Sequence, residues 1–329
     1  MRAVSCPPIK APFPWFGGKS RAADIIWRAF GDVRNYVEPF AGSLAVLLAR
    51  PTPPQIETVN DRDAYLANFW RAVAADPDEV ARWCDWPVNE ADLHARHRWL
   101  VGQTDFRERM LTDPAFYDAK IAGWWVWGLC AWIGAGWCSG QRGDGSLSRQ
   151  LPHMGNAGMG LHRQLPHMGD AGRGLHRKLP HMGDAGRADS IRGLLSDLSA
   201  RLRGARVACG DWSRVTGDTV TWRHGLTGVL LDPPYAEGAM DYAAGGTGTS
   251  LSAEVRVWAI EAGKRPDMRV ALCGLEGEHE MPPEWRCIPW KARGGYGSQR
   301  TDGDNDNRHR ERIWFSPACL DPTVQHSLF

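Results

Sequence analysis

Leu230-Leu231-Asp232-Pro233-Pro234-Tyr235 reads as the end of a buried strand that breaks into a stiff turn. The leucines follow Gly228 and Val229, and a short apolar run stopped by proline suits the core of a parallel sheet. Each proline fixes its own φ and lacks an N–H, so the chain leaves the sheet extended. The turn then presents a carboxylate (Asp232), a carbonyl (Pro233) and an aromatic ring (Tyr235) at a strand's carboxyl end. Open α/β sheets bind ligands there. This set suits an exocyclic amine, because carboxylate and carbonyl each accept one N–H while the ring stacks on the heterocycle. Without Asp232 the stretch would read as an ordinary turn over a buried Tyr.

Two stretches near the amino terminus supply the rest of such a site. Trp15-Phe16-Gly17-Gly18-Lys19-Ser20 precedes a helix expected over Arg21 to Phe30. Paired glycines before a helix let backbone N–H groups face an anion, and Lys19 adds a point charge. Asn35 to Leu48 reads as strand, turn and apolar helix, with Glu38-Pro39-Phe40-Ala41-Gly42-Ser43 at the junction. That is the opening of a βα nucleotide-binding unit, but it is not G-x-G-x-x-G. A dinucleotide pyrophosphate has less to hold it here, whereas an acid at the strand end binds an amine-bearing ligand. A second strand over Gln55 to Val59 ends in Asn60-Asp61, which places Asp61 to accept from ribose hydroxyls. A helix follows over Asp63 to Ala75, with Tyr65, Leu66, Phe69 and Val73 on one side.

Composition sets the class. The chain has 329 residues, 43% hydrophobic and 23% charged, as soluble globular proteins do. Its eight Cys form no C-x-x-C pair and no signal peptide opens it, so reduced thiols and a cytoplasmic location are expected. The net charge of +1 hides an asymmetry: Gln141 to Arg206 holds ten Arg and one Lys against five Asp. That segment is therefore +6 in a frame of −5, which suits one face built for a polyanion.

The middle of the chain changes character at Asp76-Pro77-Asp78-Glu79, a strong helix start with Pro in the first turn and acids at the positive dipole end. Helical segments are expected to about Trp99. Ile121 to Ser139 is uncharged and carries Trp124, Trp125, Trp127, Trp132 and Trp137 among four glycines. So many Trp and Gly match hydrocarbon poorly, so a buried helix with a loop is expected in place of a membrane span. Leu151-Pro152-His153-Met154-Gly155 then recurs at Leu165 and Leu179, a 14-residue period. Pro and Gly exclude a long helix, which leaves stacked turns or short ribbons. Five of the 11 His lie here without acidic or Cys partners at fixed spacing, so no metal site is expected. Beyond the repeats, a helix near Ile191 to Leu202 is expected, followed by strands at Arg206 to Trp212, Thr227 to Leu231 and Met268 to Cys273. The last strands are Arg286 to Trp290 and Arg312 to Phe315, with a helix over Leu251 to Ala262.

Trp15 to Lys19, Glu38 to Ser43, Asp61 and Asp232 to Tyr235, in this order, resemble the Dam-like, alpha-ordered DNA adenine-N6 methyltransferases. The resemblance covers about Pro12 to Ala75 and Arg206 to Pro317, and it implies S-adenosyl-L-methionine as methyl donor and double-stranded DNA as partner. It implies that Gly17, Gly18 and Lys19 hold the methionine carboxylate and that Phe40 packs on the cofactor. Trp15, Glu38, Pro39, Ala41, Gly42, Ser43 and Asp232 join the cofactor site. Asp61 takes the ribose, and Asp211 is a candidate for the cofactor's adenine. Asp232, Pro233, Pro234 and Tyr235 form the catalytic turn on a flipped adenine. Protein-amide methyltransferases usually show Asn where Asp232 stands, and cytosine-N4 enzymes more often Ser. A catalytically silent DNA-binding regulator on the same frame is the alternative from another class.

The fold implied is α/β: a Rossmann-like methyltransferase sheet with one antiparallel strand, built from residues 1–75 and 205–329. Residues 76–204 form an inserted, largely helical and loop-rich DNA-recognition lobe, with the repeats at about 147–187. Arg163, Arg173, Arg177 and Lys178 are its candidate DNA contacts, to phosphates or guanine edges. The Trp-rich run beside the repeats raises the expectation of a homodimer through this lobe.

Overall fold

Alternation along the strands decides how the sheet is covered. The computed structural model describes residues 9, 11–13, 15, 19–113, 115–133, 137–138, 160–161, 187–234, 248–290 and 310–323. Seven strands form the main sheet: β1 (Asn35–Glu38), β2 (Ile56–Asp61), β5 (Ala205–Cys209), β6 (Thr227–Leu231), β7 (Met268–Leu275), β8 (Arg286–Pro289) and β9 (Glu311–Phe315). Their order is β5-β2-β1-β6-β7-β9-β8. β9 runs antiparallel to both its neighbours, and the other pairs are parallel. A two-residue ribbon, β3 (Trp132–Ile133) with β4 (Gly160–Leu161), stands apart.

Tyr36, Leu230, Ala271, Ile313 and Phe315 point into one hydrophobic layer. Their sequence neighbours Val37, Val229, Leu231, Val270, Leu272 and Trp314 point into the other. Every residue of β6 is buried, as befits a central strand covered on both faces. One face carries α1 (Ala23–Phe30), α2 (Ala45–Leu48) and α3 (Ala64–Ala75). The opposite face is covered by α9 (Gly248–Ala262) and the 3-10 turn Trp212–Val215.

The middle segment supplies α4 (Pro77–Cys84), α5 (Glu90–Val101), α6 (Phe106–Thr112), α7 (Ala119–Ala131) and α8 (Arg187–Leu202). These helices share one continuous core with α1 to α3. No linker marks the change at Asp76, which ends α3 and also caps α4 by accepting from the Glu79 N–H at 3.1 Å. Asn68 of α3 and Asp118 before α7 exchange two hydrogen bonds, at 2.9 and 2.8 Å. Tyr65 Oη donates to the Leu100 carbonyl at 2.8 Å, tying α5 to the same helix. The described helices of the expected lobe thus share their hydrophobic core with the helices on this face of the sheet. The repeats themselves, with Arg163, Arg173, Arg177 and Lys178, lie outside the described residues.

Trp125, Trp127 and Trp137 are buried, and Trp124 is half-buried against Trp83 and Trp99. The glycines of α7 explain how so many rings fit. A Cβ on Gly123 would overlap Trp83, and one on Gly128 would overlap the Trp137 ring. The Arg96 guanidinium lies over the rings of Trp86, Trp124 and Trp127, at 5.1, 4.9 and 4.2 Å. Trp124, Trp125, Trp127 and Trp137 are therefore packed inside the chain. Among the described residues no helix is long and apolar enough to cross a membrane.

Candidate active site

β1 and β6 are neighbours, but the chain leaves β1 toward β2 and leaves β6 toward β7. The crevice outside their carboxyl ends is the switch point where such sheets bind ligands. Glu38 ends β1 there and Asp232 follows β6. Period-two alternation sets Glu38 with Tyr36, Asp232 with Leu230, and Cys273 with Ala271 on the same sheet face. β9 runs the other way, so its first residue, Glu311, reaches this edge opposite Leu275.

Lys19 lies over these strands. Its Nζ is 2.8 Å from Asp232 Oδ1 and 3.9 Å from Glu311 Oε2. The lysine side chain is 4% exposed and that of Asp232 20%. Burial is the largest single influence and would lower the Lys19 pKa, but Asp232, Cys273 and Glu311 together outweigh it, and the ammonium is held well above its ordinary range. The Trp290 ring walls the cation at 5.4 Å. Glu38 accepts from the Tyr36 hydroxyl at 3.0 Å. Its pKa is pushed up to about 8, chiefly by burial and further by the Asp232 charge, while the Tyr36 bond pulls the other way.

Asp61 occupies the next position along the same edge. It accepts from the Gly42 N–H at 3.1 Å and the Asp63 N–H at 2.9 Å, and burial pushes its pKa up to about 6. Gly42 has φ +47°, and a Cβ there would lie 2.5 Å from the Trp15 ring, so only glycine fits the turn. Asn60 fastens the strand ends together, donating to the carbonyls of Pro39 and Gly210 at 3.0 and 3.1 Å. Phe40 is half-buried and stacks on Trp212 with centroids 6.2 Å apart. Asp211 is exposed and caps the following 3-10 turn, accepting from the Ser213 N–H at 2.9 Å.

The structure thus brings Trp15, Lys19, Glu38 to Ser43, Asp61, Asp211 and Asp232 to one edge of the sheet. Pro233 is buried and Pro234 half-buried, while Gly17, Gly18 and Tyr235 lie outside the described residues. Lys19 was expected at a methionine carboxylate; among the described residues its Nζ meets Asp232 at 2.8 Å. Sequence reasoning missed Glu311 and Trp290. The strand over Arg312 to Phe315 was seen, but the residue just before it became relevant only through antiparallel pairing.

No curated protein matches this chain. Residues 15–96 match the family model of D12 class N6 adenine-specific DNA methyltransferases, a segment that runs from Trp15 past Asp61 and across Asp76 into α5. That match covers about a quarter of the chain and supports an adenine-specific DNA methyltransferase, and the seven-stranded sheet joins the matched Lys19 to Asp232 outside the matched segment.

Proposed function

We propose that the chain transfers a methyl group from S-adenosyl-L-methionine to N6 of an adenine extruded from duplex DNA. The observation that carries this reading is Asp232, part-exposed at the switch point and held by Lys19 at 2.8 Å. A half-exposed carboxylate at the end of β2, with the Phe40 ring nearby, suits an adenosine moiety. The positive φ of Gly42 turns its N–H onto Asp61 and fixes that carboxylate before any ligand arrives. These residues fit the donor, whose bound sulfonium supplies an electrophilic methyl group.

Asp61 binds the ribose hydroxyls, and Phe40 packs on the adenosine. Lys19 is satisfied by buried acids, so the methionine carboxylate falls to the backbone around Gly17 and Gly18. Adenine N6 is a poor nucleophile because its lone pair is delocalised into the ring. Asp232 and the Pro233 carbonyl accept its two N–H bonds and favour the pyramidal nitrogen that attacks. Both acceptors strengthen as positive charge grows on N6, which is stabilisation specific to the transition state. One proton then leaves N6, and the part-exposed Asp232 passes it to solvent. Tyr235 stacks on the flipped base. Residues 76–204 serve target recognition, with Arg163, Arg173, Arg177 and Lys178 on the DNA, in a cytoplasmic, DNA-associated protein.

Incubation with labelled donor and mixed-sequence duplex, followed by nucleoside analysis, tests the reading. N6-methyladenine is the expected product. Asp232→Ala should lower turnover by at least about 10²-fold with the fold intact, as losing an aligned acceptor does. Methylcytosine as product, or near-normal turnover in the variant, would refute the mechanism.

A further inference from the structure

Lys19 alone would make Asp232 a poor acceptor. A buried ammonium at 2.8 Å draws electron density from the carboxylate and leaves a neutral pair where positive charge must develop. Glu311 changes that balance. Its Oε2 lies 3.9 Å from the same Nζ, and its side chain is 9% exposed, so solvent screens the attraction little. The Trp290 ring, 5.4 Å from Nζ, confines the cation between the two acids. We propose that Glu311 is a positioning residue for methyl transfer: it shares the Lys19 ammonium, so that Asp232 keeps the negative charge it turns toward the adenine amine. This rests on the function proposed above and deepens it.

Charge in the cluster supports the same assignment. Asp232 after β6, the Cys273 thiol of β7 and Glu311 of β9 act on Lys19 from one sheet face, and Glu38 of β1 lies within electrostatic reach of Asp232 on the same face. Glu38 is mostly protonated at neutral pH and the buried thiol is pushed well up, so both are neutral. Asp232 and Glu311 then both face the Lys19 ammonium, and removing the Glu311 charge takes one negative charge away from the cation that Asp232 also holds. Glu311 reaches this place because β9 is the antiparallel strand, whose amino end meets the carboxyl ends of the others.

The test compares side chains of equal shape and different charge. Glu311→Gln should lower kcat at least tenfold, while the KM for duplex and the calorimetric affinity for S-adenosylhomocysteine stay within about twofold. Glu311→Asp, which keeps the charge and loses a methylene, should retain more kcat than the better-fitting Gln. Glu311→Asn against Glu311→Asp repeats the comparison in a shorter pair and stands in if the glutamine variant does not fold. Equal rates within either pair, or Gln above Asp, would make Glu311 a packing residue and overturn the inference. A wild-type enzyme that makes no N6-methyladenine would instead fail the underlying function.

Discussion

Glu38→Gln should make the protein less sensitive to alkaline pH, and the structure gives the size of the effect. The Glu38 carboxyl is 3% exposed and its pKa moves from 4.5 to about 8. The gap of about 3.5 pH units, at about 1.36 kcal/mol each, gives an upper figure of about 5 kcal/mol. The folded state holds this proton more tightly than the unfolded chain does. The contribution is therefore complete below pH 4.5 and is lost as pH rises toward 8. Glutamine keeps a carbonyl to accept from the Tyr36 hydroxyl and has no proton to lose. Urea unfolding followed by circular dichroism at pH 5, 6, 7 and 8 reads the difference. Wild type should lose several kcal/mol across that range relative to the variant, even though Asp61, with a pKa of about 6, adds a parallel slope to both. Parallel stability curves for the two proteins would show that Glu38 is ionised in the fold and that the reasoning is wrong.

Glu57 is buried between Arg201, at 2.6 and 2.8 Å, and Arg50, at 3.3 Å, so Glu57→Gln should cost about 3–5 kcal/mol in chemical unfolding by leaving guanidinium charge uncompensated. A change under 1 kcal/mol would mean that water replaces the carboxylate. Replacing Arg163, Arg173, Arg177 and Lys178 by Ala should weaken duplex binding and reduce the slope of log affinity against log salt by up to about 4, one for each phosphate no longer neutralised. Unchanged binding in a titration at two salt concentrations would move the recognition surface elsewhere.

What was legible in the sequence was local. Pro233 stops β6 at Leu231, where the apolar run ends, and the strand is Thr227–Leu231 as expected. Asp63 and Asp76 cap the helices they precede, because short acidic side chains satisfy free N–H groups within two or three residues. The second strand runs on through Asn60 to Asp61, beyond its apolar part, because parallel pairing to β5 satisfies its polar end. Helix α6 (Phe106–Thr112) was not seen: it is short, and its burial rests on Phe106 stacking with Tyr65 of α3 and on Met110. The composition change at Asp76 does not by itself reveal which helix faces meet. Asn68 and Asp118, or Glu57 and Arg201, are partners that only tertiary structure brings together.

The buried Lys19 shows why distant motifs work as one site. Removing an ammonium from water is expensive, and acids already fixed on rigid strands compensate it best. Asp232 stands at the end of a central strand, and Glu311 on the strand beyond β7. Neither position exists until β6, β7 and β9 have paired in register. The amino-terminal segment that carries Lys19 therefore finds a charge-matched seat only on a finished sheet. Conversely, Lys19 at 2.8 Å helps to orient the Asp232 carboxylate. The ion cluster and this edge of the sheet therefore depend on the same strand pairings, that of β9 with β7 included.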